Sequence, residues 1–102
     1  MIELLALAAM QAAAPDAEVA ALRARVARQP PSVREFVARR AECNHWAGEE
    51  SYDAARRAEI ERALAGLRCA TIDGEAIFLA RHFANRPDIL ALLEETKDSL
   101  GW

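Results

Sequence analysis

The stretch from residue 30 to residue 41 reads PPSVREFVARRA, and it carries both a helix start and a helix face. The two prolines end any preceding helix, because proline lacks the backbone N–H that a continuing helix needs. Ser32 and Glu35 have the spacing of a capping box, in which the serine accepts from a first-turn amide and the glutamate reaches back to the cap amide. Apolar residues then recur at helical spacing: Val33, Phe36, Val37 and Ala41. The stretch predicts a helix with Ser32 as its N-cap and one buried face.

The same helical periodicity recurs on both sides of this stretch, and no alternating strand pattern accompanies it. We therefore expect an all-α fold, a small bundle of four or five short helices. The other expected elements are a helix with Val19, Leu22 and Val26 on one face, a connection over residues 44–51, a helix over 52–67, a helix capped by Asp73 and a last helix beginning near Pro87.

The composition limits the chain to one helical domain. Its 102 residues have room for a single core, and 24 alanines raise the hydrophobic fraction to 53% while aromatic residues stay at 6%. Alanine favours helix and is depleted in strands. The net charge of −3 is mild, and twelve arginines against one lysine are what a GC-rich genome would produce. Because the basic residues are not clustered on a strongly positive surface, we expect no nucleic-acid partner.

The first fourteen residues, MIELLALAAMQAAA, suggest an export signal. The run is shorter than the roughly 20 apolar residues that span a membrane, so we expect no stable membrane span. It has the length of a signal-peptide core and ends in small residues, although Glu3 lies where a positive charge is usual and Pro15 would follow the cut. We expect residues 1–14 to be a signal peptide and residues 15–102 a single helical domain. The alternative is an alanine-rich first helix.

Cys43 and Cys69 are the only cysteines, and an even pair is compatible with one disulfide. A tight helical hairpin turning near Gly48 would separate them by about 24 Å, beyond the roughly 7 Å between Cα atoms that a disulfide tolerates. If residues 44–51 were extended and ran back first, they would cover about 26 Å and bring the cysteines together. We expect the disulfide and the extended connection together. The alternative is two buried free thiols.

Several residues around the first cysteine have side chains that could contact a ligand or a partner. Cys43 and His45, with nearby carboxylates and His82, suggest a metal site, but their spacing matches no recurrent zinc pattern. We expect no catalytic residue and no cofactor, and we keep a metal-dependent enzyme at His45, Glu49 and His82 as a minor alternative. The residues that could stack or accept hydrogen bonds, and so contact a protein partner, are His45, Trp46, Glu49, Glu50 and Tyr52. We expect His45 to be an exposed loop residue and Trp46 to cover the core.

Three adjacent large apolar residues, Ile77, Phe78 and Leu79, cover much of one helix circumference. A helix of that kind is either central to the bundle or one half of an interface. We therefore expect these three residues to be either core or the face of a homodimer.

Two stretches resemble known proteins. Residues 69–73 (CATID), followed by Glu75, Leu79 and Phe83, resemble the cysteine–Leu/Asp–Leu–aromatic rhythm of small bacterial periplasmic proteins of the lysozyme-inhibitor-like kind. Those proteins are helical and contain disulfides. They usually have additional cysteines and an Asn next to the aromatic residue, where this chain has Arg81 and His82, so no inhibitory residue is transferred. Residues 43–50 resemble uncharacterised short proteins of alphaproteobacteria.

Besides the minor alternative of a metal-dependent enzyme, these observations lead to one principal hypothesis and one main alternative. The apolar N-terminal run, the cysteine pair and the lack of a credible active site predict a small periplasmic or secreted helical protein that binds a protein partner in the cell envelope without catalysis. The alternative is a cytoplasmic helical homo-oligomer or adaptor, in which residues 1–14 form a helix and Ile77, Phe78 and Leu79 form the dimer face.

Overall fold

The computed structural model describes residues 16–101, and that part of the chain contains helices and no strands. The expectation of an all-α fold with four or five helices is confirmed, since five α-helices are present in this part of the chain. Residues 1–14, expected to be a signal peptide, lie outside the described residues. The elements are α1 (residues 16–27), α2 (Pro31–Ala47), α3 (Ala54–Gly66), a 3₁₀ turn (Cys69–Thr71), α4 (Ile72–His82) and α5 (Pro87–Glu95).

Helix α2 begins earlier than the capping box predicts. Pro31 occupies the first helical position, where its missing N–H would have no partner in any case and its fixed φ suits a helix. The N–H groups of Val33 and Arg34 both donate to the carbonyl of Pro30, at 3.0 and 3.1 Å. No side chain caps the helix, so the capping-box prediction at Ser32 is wrong. The proline starts the helix before the serine is reached.

The connection after α2 is also shorter than expected. Residues 44–47 continue the helix instead of forming a loop, and only residues 48–53 separate α2 from α3. The Gly48 N–H donates to the carbonyls of Asn44 and His45 and ends α2. Asp53, in an extended conformation, then caps α3 by accepting from the Arg56 N–H at 2.7 Å. Residues 44–47 lack an apolar pattern because much of this last turn is exposed, so periodicity could not reveal it.

The expected disulfide is present between Cys43, in the last turns of α2, and Cys69, in the 3₁₀ turn after α3. Their Cα atoms are 5.6 Å apart across 26 residues of sequence. The six connecting residues can span about 20 Å, and the 13 residues of α3 rise about 20 Å. The connection can therefore compensate for the length of α3. The prediction that residues 44–51 must all be extended is wrong, because residues 48–53 suffice.

The core lies between α2, α4 and α5. The apolar face predicted for α2 is confirmed, since Val33, Phe36, Val37 and Ala41 are all buried. In α1 the predicted face is only partly correct: Val26 is buried, but Val19 is 46% exposed. The buried side chains that meet this face are Ile72 and Leu79 from α4 and Ile89, Leu92 and Leu93 from α5. Within residues 16–101, each helix is too short or too polar to cross a bilayer.

Helix α3 contributes little to the core, because only Ile60 among its 13 residues is buried, as only Val26 is in α1. The turn that follows it contains Arg68 in the left-handed region, with φ 56°. Helix α4 then starts at Ile72, one residue before the predicted cap, and Asp73 lies in its first turn without capping it. The prediction of Asp73 as an N-cap is therefore wrong. Because burial in α3 is so small, the disulfide adds a covalent attachment of this segment to α2.

Arg40 closes the far end of the core. It is 6% exposed, and its Nη2 donates to the Leu93 carbonyl at 2.6 Å and to the Thr96 hydroxyl at 2.9 Å. Its guanidinium also lies 4.9 Å from the centre of the Phe36 ring. Burial lowers the pKa of Arg40, while the charges of Asp98, Glu94 and Asp73 oppose that shift. Arg40 thus joins α2 to the Leu93 carbonyl and the Thr96 hydroxyl, which lie 53 and 56 residues further along the chain.

We expect loss of the disulfide to destabilise the protein strongly. In Cys43→Ser/Cys69→Ser, the unfolded chain regains the freedom of a 26-residue loop, which is worth about 3.5 kcal/mol of unfolding free energy. Urea denaturation measures this loss. Ala70→Ser, at the exposed neighbouring position, is the control and should unfold as the wild type does. A loss below about 1 kcal/mol would contradict the account.

We also expect Arg40→Ala to lower the free energy of unfolding by about 2–4 kcal/mol, because it leaves the Leu93 carbonyl unpaired and opens a cavity beside Phe36. Urea denaturation again provides the measurement. Arg34→Ala changes an exposed arginine of the same helix and should have an effect within about 0.5 kcal/mol. Equal effects of the two substitutions would show that Arg40 does not hold α5.

Candidate partner-binding surface

The residues predicted to contact a partner lie together around the end of α2 and the start of α3. We call this the α2–α3 surface, and its members are His45 and Trp46 in the last turn of α2 and Glu49, Glu50 and Tyr52 in the connection. Tyr52 is 77% exposed, and Glu50 is exposed beside it. An aromatic ring and a carboxylate are therefore both exposed to solvent, two residues apart in the sequence.

Arg56, which the sequence analysis did not select, organises this surface. Its guanidinium lies 5.3 Å from the centre of the Trp46 ring. Its nitrogens also reach Glu59 at 2.8 Å and Glu49 at 3.3 Å. Burial acts to lower the pKa of Arg56, but the hydrogen bonds and charges of Glu59 and Glu49 outweigh it and raise the pKa. In the sequence, the one hint of this role is that Arg56 precedes Glu59 by three residues, the spacing of an ion pair on a helix.

Glu49 has a structural role, while Glu50 remains available to a partner. His45 Nε2 lies 3.1 Å from Glu49 Oε1 across one helical turn, and the other carboxylate oxygen of Glu49 faces Arg56. Among residues 16–101, no ion-pair partner lies within 4 Å of the Glu50 carboxylate. The acceptor that this surface can offer to another molecule is therefore Glu50, with Tyr52 as the adjacent ring.

The structure also corrects two expectations about the aromatic residues. His45 is exposed, as expected, but it belongs to α2 and not to a loop. Trp46 lies against Arg56 at the surface and is not among the residues packed on the core, so the expectation that it covers the core is wrong. The Trp46 ring instead packs against the Arg56 guanidinium in a cation–π contact.

The three side chains of the metal-site hypothesis are not brought together. His45 lies in the last turn of α2 and Glu49 in the connection just after it. His82 is at the end of α4, where it stacks on Phe78 and meets Phe83 edge-on at 4.7 Å. In the described part of the chain, no three His, Cys, Asp or Glu side chains are placed to hold a metal ion. Cys43 is consumed by the disulfide and is not available as a nucleophile.

A second exposed surface lies on α4. Ile77 and Phe78 are 54% and 65% exposed, while Leu79 is 7% exposed and belongs to the core. The expected three-residue dimer face is therefore wrong for Leu79, because consecutive helical residues point about 100° apart and the third turns inward. Ile77 and Phe78 therefore leave two adjacent large apolar side chains on the outer side of α4.

Comparison with known proteins finds no relative: no protein family, curated protein or solved structure matches the chain.

We expect Arg56→Ala to loosen the α2–α3 surface without unfolding the bundle. Amide hydrogen exchange should become faster across residues 48–53, because the contacts with Glu49, Glu59 and Trp46 are lost, while α4 and α5 keep their protection. Global stability should fall by less than about 1 kcal/mol, since these ion pairs are partly exposed. Arg57→Ala is the control, at the exposed next position. Unchanged exchange in Arg56→Ala would show that Arg56 does not organise the surface.

Proposed function

We propose that this chain is a small exported helical protein that binds a protein partner in the bacterial cell envelope through the α2–α3 surface and carries out no catalysis. The disulfide between Cys43 and Cys69 is the observation that carries the proposal. It supports an oxidising compartment, and it anchors the segment on which the binding residues lie.

Three features support export. Disulfides persist in the periplasm and outside the cell, where thiols are not kept reduced. Residues 1–14 have the apolar length and the small-residue ending of a signal peptide. The resemblance of residues 69–83 to small periplasmic proteins of the lysozyme-inhibitor-like kind points to the same compartment.

The chemistry of the α2–α3 surface supports binding of a protein with hydrogen-bond donors. Tyrosine supplies a large contact area at a small cost in side-chain entropy, and buried tyrosine and tryptophan are frequent hot spots. The connection is anchored at Gly48 by α2 and at Asp53 by α3, so little backbone freedom is lost on binding. Glu50 would then accept from an arginine or lysine of the partner, with Tyr52 stacking beside it.

The test is capture from an envelope extract of the organism that encodes the protein, with the disulfide-bonded protein immobilised. We expect Tyr52→Ser and Glu50→Arg each to lower the captured partner by about 10-fold or more. Phe78→Ser and Glu61→Arg are the matched controls, an exposed aromatic residue and an exposed glutamate elsewhere, and should capture normally. The proposal fails if no protein is retained specifically, or if the two surface variants capture as much as their controls.

Self-association is a second candidate function, and the exposure of Ile77 and Phe78 on α4 favours it. The α4 surface is separate from the α2–α3 surface, so a homo-oligomer could still bind another partner. Self-association is compatible with an exported protein and with a cytoplasmic one, and the disulfide favours the exported one. We do not propose a metal-dependent enzyme, because His82 lies apart from His45 and Glu49.

A further inference from the structure

The exposed side of α4 has a pattern that fits a second copy of itself. Six of its residues are exposed, and together we call them the α4 face: Asp73, Gly74, Ile77, Phe78, Arg81 and His82. Gly74 and Arg81 are seven residues apart, which is about two helical turns, so both lie along the middle of this face. Ile77 and Phe78 lie halfway between Gly74 and Arg81 along the helix, one on each side of the line that joins them. The buried residues Ile72 and Leu79 lie on the opposite side of the helix.

Gly74 has no function that the protomer itself explains. Glycine in a helix is less stable than alanine by about 1 kcal/mol, and Gly74 does not have the positive φ that would require it. A Cβ added at this position would meet no atom within 4 Å, so no neighbour in the described residues excludes a side chain either. A glycine on the outer side of a helix does allow close approach by another molecule.

We propose that two copies of this chain pair through their α4 faces, with the two helices antiparallel and the two-fold axis between Ile77 and Phe78. This rests on the second candidate function, self-association, and assigns its geometry. In this arrangement Ile77 meets Ile77 of the other copy and Phe78 meets Phe78, which covers the exposed apolar side chains. The interface is isologous, as in most homodimers.

The antiparallel direction follows from the charges and from Gly74. Residues 74 and 81 are equally distant from the two-fold axis, so each Arg81 lies across from Gly74 of the other copy, where the missing side chain leaves room for a guanidinium. Asp73 is next to Gly74 and provides the opposite charge. Among residues 16–101, neither Asp73 nor Arg81 has an ion-pair partner within 4 Å. A parallel pair would place the two Arg81 side chains opposite each other, and like charges across an interface are costly.

Sedimentation equilibrium of the disulfide-bonded protein in its exported form tests self-association and its direction separately. Phe78→Ser should raise the dimer dissociation constant by about 10-fold or more, because it removes the central apolar contact. Asp73→Arg and Arg81→Asp should each raise it by about 10-fold, since each places like charges together twice. The double variant Asp73→Arg/Arg81→Asp restores opposite charges and should return to within about 3-fold of the wild type.

The controls are Glu61→Arg and Arg62→Asp, which make the same charge changes on the exposed side of α3 and should leave the dissociation constant unchanged. Gly74→Leu should weaken the dimer, while Gly66→Leu, at another glycine with open space around it, should not. Circular dichroism and intact mass verify that each variant is folded and oxidised.

Each failure of the test has its own meaning. A wild-type chain that stays monomeric at millimolar concentration overturns self-association altogether. A dimer that Phe78→Ser does not weaken lies on another surface. A dimer that Phe78→Ser weakens, but that the double charge variant does not restore, has a different helix direction. None of these results depends on capture by the α2–α3 surface, so the partner-binding proposal stands or fails independently.

Discussion

The covalent link between Cys43 and Cys69 is the constraint on which the rest of the molecule depends. It encloses the connection and α3, the helix that contributes only Ile60 to the buried residues. Burial of one isoleucine is worth about 1.5–3 kcal/mol, whereas ordering each residue of a helix costs about 1–2 kcal/mol. Packing therefore holds α3 only weakly, even with Leu67 partly buried against the core. The disulfide supplies the missing attachment by keeping the end of α3 beside α2 in the unfolded chain as well as in the folded one.

The α2–α3 surface and the α4 face are therefore held in place by different interactions. The α2–α3 surface lies inside the loop closed by the disulfide, where Arg56 joins Trp46, Glu49 and Glu59. The α4 face is carried by a helix whose inner side packs on α2 and α5 through Ile72 and Leu79. The disulfide therefore bears directly on the α2–α3 surface, whereas the α4 face depends on core packing.

The sequence predicts those parts of the fold that follow from apolar periodicity. The buried face of α2 and the start of α5 at Pro87 are visible because burial and proline geometry leave local patterns. Arg40 and Arg56 could not be identified from periodicity, because their partners lie in other elements. Arg40 binds Leu93 of α5 and Thr96 just after it. Arg56 of α3 lies over the Trp46 ring of α2. The helical end of α2 was missed because its exposed last turn has no apolar repeat. The pairing of the two cysteines could be predicted from their number. The path of the chain between them could not, because it depends on the lengths of both α3 and the connection.

The redox state of the two cysteines in protein taken directly from its host tests the central claim. Free thiols are alkylated before lysis, and the intact mass is then measured without reductant. The account predicts no alkylated thiol, two alkylated thiols only after reduction, and a chain that begins after Ala14. Two thiols alkylated without reduction, on a chain that retains its first fourteen residues, would contradict it, because both the attachment of α3 and the envelope location would lose their basis.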